Sequence, residues 1–160
     1  MVLHSLRASS YEATAGAQHG GMTSLEADEL RQIPLDSDAA VQARVEHLIG
    51  AACRRQWWML LLDEAGRQIP LIIPMADYPK TPNGGAAGLL AARVAETVYE
   101  TGAAQAIFVW ERPGGHRVSH LDRSWARALA AACADAGVSV RAQLISHDDG
   151  VRWVAPDDLL

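Results

Sequence analysis

The chain reads as an α/β domain, a mixed sheet of about five strands sandwiched by helices. Three observations predict this. Apolar residues recur at helical spacing in three segments, 41–52, 90–98 and 121–136. Between and after them lie apolar runs of strand length, and two pairs of these runs are joined by short turns. A helix with one apolar stripe and a strand apolar on both faces are each stable only when packed on the other.

The elements follow in order. Residues 1–34 are rich in Ala, Gly, Ser and Thr without sustained period, broken at His19-Gly20-Gly21. This segment is expected to be a tail, disordered or loosely docked, with one or two helical turns between Leu25 and Ile33. Its His4 and His19 lack ligand-like spacing. Residues 35–160 form the single domain. Asp36-Ser37-Asp38 supplies an N-cap oxygen and negative charge for a first helix, whose stripe is Val41, Val45, Leu48, Ile49 and Ala52. His47 falls off that stripe and is expected in solvent.

Gln56 to Leu62 is a continuous apolar run, as for a strand buried on both faces. Asp63 to Gly66 turns it into Arg67–Pro74, completing a hairpin. Pro70 and Pro74 lack donors, so this second strand belongs at an edge. Met75 to Gly88 has loop composition and matches no phosphate-binding glycine motif. Leu89 to Glu100 is a helix carrying Leu90, Val94 and Val98, stopped by Gly102. Ala104 to Trp110 is a strand, and Ser119-x-x-Asp122 has capping-box form for the next helix. That helix carries Leu121, Trp125, Leu129, Ala132, Cys133 and Ala136 and ends at Gly137. Val138–Ser146, a turn at Asp148-Asp149-Gly150, and Val151–Val154 complete the chain.

Composition narrows the function classes. A length of 160 residues and 49% hydrophobic content suit one packed domain. The net charge of −5, from 14 basic and 19 acidic side chains, argues against a bulk nucleic-acid binder. Cys53 and Cys133 both read as small buried hydrophobes of a reducing compartment. No run approaches the ~18 apolar residues of a membrane span, and Met1–Arg7 has no signal-peptide core. A cytoplasmic protein without membrane contact is expected.

Read with particular residues, this order resembles the JAB/MPN metalloprotease-like fold (cytidine-deaminase-like in architecture), and within it the RadC-like branch. Three stretches carry the likeness: Leu60-Leu61-Leu62-Asp63 with Gly66-Arg67-Gln68-Ile69; Ile107-Phe108-Val109 entering Trp110-x-Arg112-Pro113-Gly114-Gly115; and Ser119-x-x-Asp122 with Gly137-Val138, Leu144-Ile145 and Asp149-Gly150. It spans roughly residues 54 to 154. In the family, two histidines and an aspartate hold zinc, a glutamate activates its water, and the serine helps stabilise the tetrahedral intermediate. The resemblance places Trp110 and Arg112 at the histidine positions and Arg55 or Gln56 at the glutamate. Only Ser119 and Asp122 are retained, and the loop before Ser119 is one residue short. An indole does not ligate zinc and a guanidinium repels it; one carboxylate does not hold the ion alone.

The resemblance therefore implies a degenerate metal site, with Arg55, Gln56, Trp110, Glu111, Arg112, Ser119 and Asp122 at or beside its positions and no cofactor. The protein is expected to act by binding or as a scaffold, with an unknown protein partner or by self-association, rather than by hydrolysis. In one reading Arg112 replaces the metal by pairing with Asp122; in the other Asp122 only caps its helix and Arg112 points to solvent. An alternative enzyme reading moves the metal to His116, His120 and Asp122, near His147, with Glu111 as base. Ser119 with His116 or His120 lacks an orienting acid and an oxyanion hole. A third alternative, association with nucleic acid by analogy with RadC, would need Arg54, Arg55, Arg112, Arg117, Arg123 and Arg127 to cluster despite the acidic total. Most of the five tryptophans should be core, the rest lining the emptied cleft or a partner surface.

Overall fold

A computed structural model describes residues 24–160; His4, His19 and the greater part of the expected tail lie outside the described residues. The elements are α1 (Ser24–Arg31), α2 (Asp38–Leu48), β1 (Gln56–Leu62), β2 (Gln68–Ala76), α3 (Ala86–Thr101), β3 (Gln105–Glu111), α4 (His120–Asp135), β4 (Val140–His147), β5 (Gly150–Trp153) and a terminal 3-10 turn, Pro156–Leu159. The strands form one open mixed sheet in the order β2-β1-β3-β4-β5. Only β3 and β4 run parallel, because α4 carries the chain across between them.

Strand alternation explains the unbroken apolar runs. Trp57, Met59 and Leu61 of β1, with Ala106, Phe108 and Trp110 of β3, face α3 and α4. Leu60 and Leu62, with Ile107 and Val109, face α2. Both faces are therefore covered, and of these two strands only Trp58 and Gln105 keep partial exposure. Trp57, Trp110 and Trp125 are among the largest fully buried side chains. Each such ring leaves ~150–250 Å² of water-accessible surface behind, roughly 4–6 kcal/mol of transfer free energy at ~25 cal/mol/Å². Strand β2 with Pro70 and Pro74 lies at the sheet edge, where a missing donor breaks no ladder bond.

Several expectations are corrected. The first helix ends at Leu48, with Ile49 as its cap and Gly50 at φ 67, so Ala52 is not on its stripe. Its N–H instead donates to the His147 carbonyl, 2.8 Å. Helix α3 starts three residues early, at Ala86, because Ala86-Ala87 continue the helix directly from Gly85 and bury against the core. Leu89 consequently faces outward, as does Leu121 on α4. Cys53 is exposed while Cys133 is buried: Cys53 sits in the link between α2 and β1, not on a helix. Burial pushes the Cys133 thiol up to about 11. Within the expected tail, α1 is held at its end, where the Leu30 carbonyl accepts from Arg44 Nη2 at 2.6 Å. No helix among the described residues is long and apolar enough to cross a membrane.

Candidate functional site

The site is built where β3 ends and α4 begins. Positions two apart on an extended chain share a side, so Trp110 and Arg112 both face the α3/α4 layer and Glu111 faces the other way. Arg112 follows the last residue of β3 and is still paired through its N–H to the Ser146 carbonyl, 3.0 Å. Its guanidinium meets the Asp122 carboxylate with Nε 3.2 Å from Oδ1 and Nη2 2.8 Å from Oδ2. Nη1 donates to the Gly115 carbonyl at 2.6 Å and Nη2 to that of Arg117 at 2.8 Å. The loop thus wraps its own arginine. Gly114 permits this: it has φ 121, and a Cβ there would lie 3.5 Å from Arg112 Nη1.

Asp122 serves two partners. Its Oδ2 accepts the Ser119 N–H at 2.8 Å while Ser119 Oγ accepts the Asp122 N–H at 3.0 Å, a complete capping box with Asp in the usual Glu position. The pairing and the cap coexist in the same carboxylate. The alternative in which Asp122 only caps and Arg112 points to solvent is corrected, because the guanidinium turns in to Asp122 and two loop carbonyls. Burial pushes this carboxyl up, but the Arg112 and Ser119 hydrogen bonds outweigh it and hold its pKa below the ordinary value.

Beside the pair opens a cleft of about 190 Å³. Its aromatic walls are Tyr78, Trp110 and Trp125, in mutual contact with ring centroids 5.3, 5.4 and 5.9 Å apart. Both indole N–H groups are already used, Trp110 by Gln143 Oε1 and Trp125 by the Pro79 carbonyl, each at 2.8 Å. Arg55 lies over the Tyr78 ring, 3.6 Å from its centroid, and donates to the carbonyls of Tyr78 and Pro79. Lys80 and Ser119 complete the rim.

Of the two residues offered for the glutamate's place, Arg55 lines this cleft. Gln56 faces away and donates to Glu111 Oε1 at 2.7 Å. Glu111 also accepts from Trp58 Nε1 at 2.8 Å and from the Cys53 and Arg54 N–H groups at 2.8 and 3.1 Å. It is a buried structural anchor on the α2 face, turned away from Asp122.

The residues in the cleft do not fit a zinc ion. Trp110 presents an N–H donor already engaged, Arg112 presents positive charge, and both Asp122 oxygens are occupied by hydrogen bonds. Among the described residues no three His, Cys, Asp or Glu side chains gather as a metal group, so His116, His120 and Asp122 are not brought together as a ligand set. His116 instead meets His147, ring centroids 6.2 Å apart. His147 is buried, and burial followed by the nearby Arg112 charge pushes its pKa down. Ser119 Oγ has no histidine partner among the described residues. Of the six arginines considered together, only Arg55 and Arg112 line the cleft; Arg123 Nε turns to the Asp158 carbonyl, 2.8 Å.

Tyr78, Lys80 and Gln143 were not foreseen at the site. Tyr78 and Lys80 lie on the loop after β2, whose course no periodicity fixes. Gln143 had one signal, a polar residue inside the apolar run of β4, where a buried amide requires partners. No protein-family model and no curated protein sequence matches this chain.

Proposed function

We propose that the chain is a JAB/RadC-like domain in which an arginine–aspartate pair stands where the family holds its metal, and that it works by binding in the adjoining cleft rather than by hydrolysis. One observation carries the reading: Arg112 occupies both oxygens of Asp122 at the junction of β3 and α4, with Trp110 beside it. The three resembling stretches, the mixed five-stranded sheet and the retained Ser119-x-x-Asp122 box support it. Hydrolysis would need an activated water or nucleophile, and the cleft offers neither a free carboxylate nor an imidazole. What it offers is shape and fixed charge, ingredients of a binding site.

The test is to restore the family's ligands. A Trp110→His, Arg112→His variant, checked for folding by circular dichroism, is expected to take up about one zinc per chain in equilibrium dialysis, with Asp122 as third ligand. The native chain is expected to take up none at this cleft. A folded double variant that binds no zinc contradicts the reading.

A further inference from the structure

We infer that the cleft binds a dianionic oxyanion, a phosphate group either free or ending a small ester. The inference rests on the binding reading above and names the class of ligand.

What a ligand touches is narrower than what surrounds the cleft. Tyr78, Trp110 and Trp125 are buried and packed on one another. Arg55 covers the Tyr78 ring, so the three rings form a closed floor. The groups left accessible are Arg55, Lys80, Pro113, Ser119 and Leu121, with the edge of the Arg112–Asp122 pair.

Charge decides what these groups select. Arg112 and Asp122 neutralise each other, and both Asp122 oxygens are already taken. Arg55 and Lys80 have no carboxylate partner among the described residues. The cleft therefore keeps two uncompensated cations in a chain whose net charge is −5. A concave surface lined by one sign of charge focuses its field and gathers counter-ions.

The donors narrow the choice further. Arg55 gives Nη1 and Nη2 to the carbonyls of Tyr78 and Pro79, which fixes the guanidinium and leaves it N–H groups to spare. Ser119 Oγ accepts the Asp122 N–H, while its own hydrogen goes to no described atom and is free to turn to a ligand. Lys80 is exposed and brings a compact charge on a flexible stem. Guanidinium, hydroxyl and ammonium together offer hydrogens to an acceptor. A phosphate monoester carries about −1.5 to −2 charge at pH 7 and three strong acceptor oxygens, so it matches both the donors and the two spare charges. A carboxylate would match only one of those charges. The volume of about 190 Å³, below the ~300–1,000 Å³ of pockets for drug-sized ligands, suits a group of this size.

The probes are inorganic phosphate and methyl phosphate, with acetate as the monoanion. They are titrated into the native chain at low salt and about pH 8, where a phosphate with its second pKa near ~6 is dianionic. Binding is followed by calorimetry and by the backbone N–H signals of ¹⁵N-labelled protein. The signals of Lys80, Ser119 and Leu121 are expected to shift while those of Val41 and Val45, on the opposite face of the sheet, stay. The better of the two phosphates is expected to bind at least about tenfold more tightly than acetate, as the doubled charge requires. Inorganic phosphate as the tighter of the two assigns the site to the free ion; methyl phosphate as the tighter assigns it to an ester. Lys80→Gln, a change at an exposed residue, is expected to weaken binding about fivefold and to lessen its salt dependence. Absence of any shift at millimolar concentrations of both phosphates overturns the inference. So does acetate binding as tightly as phosphate, or binding indifferent to Lys80→Gln and to salt. The zinc experiment is independent. Zinc uptake by the two-histidine variant, with no phosphate binding by the native chain, removes this inference and leaves the family reading standing; phosphate binding without zinc uptake removes only the family reading.

Discussion

Two buried carboxylates flank the end of β3, one on each side of the sheet, and they are kept by opposite means. Asp122, on the α3/α4 side, faces a cation, and a cleft opens beside it. Glu111, on the α2 side, has four neutral donors, two from side chains and two from the backbone of the link between α2 and β1. A charge held only by neutral donors has every lone pair committed and joins the segments that supply them. A charge held by another charge tolerates an open neighbour, because the pair is jointly neutral and part of its edge can stay wet. One carboxylate ties separate segments together, and the other leaves a cleft beside its ion pair.

Substitution should expose that contrast, most strongly at Glu111. Glu111→Ala strands two side-chain donors and frees the link at Cys53 and Arg54. It is expected to cost about 4 kcal/mol or more in urea unfolding. Loss below about 1 kcal/mol would show that water replaces the carboxylate freely and that the two faces do not differ as argued.

Arg112→Ala comes next. It leaves Asp122 buried with only its Ser119 bond, at a cost of about 3 kcal/mol, the low end for a broken buried pair because the arginine keeps some exposure. The cost has a pH signature. The folded carboxyl sits below its ordinary 3.8, so the stability it lends is present above that value and is lost as pH falls through the depressed folded value. The gap between native and Arg112→Ala stabilities should therefore narrow in acid. A gap constant from neutral pH to pH 3 would contradict the pairing. Ser119→Ala removes only the hydroxyl half of the capping box and is expected to cost about 1 kcal/mol, readable as a small fall in the denaturation midpoint.

Much of this site was legible in the chain. The Ser119-x-x-Asp122 spacing announced the capping box, and the family resemblance set Trp110, Arg112 and Asp122 at one site. The choice between Arg55 and Gln56 was not legible, because parity depends on where β1 starts and a shift of one residue exchanges the faces. Nor was Cys53, whose alanine-rich surroundings imitate a helix although the chain has already left one at Leu48. Tyr78 and Lys80 reach the cleft on a loop, where composition marks irregularity without marking direction. The double role of Asp122 was divided between two readings because sequence spacing reports the cap and only the fold reports the arginine.

The pairing is tested most directly by a double-mutant cycle on Arg112 and Asp122, using Arg112→Ala, Asp122→Asn and the two combined. The pair should show a coupling of at least about 1.5 kcal/mol at neutral pH, the combined variant being much less destabilised than the two single losses added. Losses that add to within about 0.5 kcal/mol would contradict the claim that the arginine stands in the cleft as the partner of the aspartate.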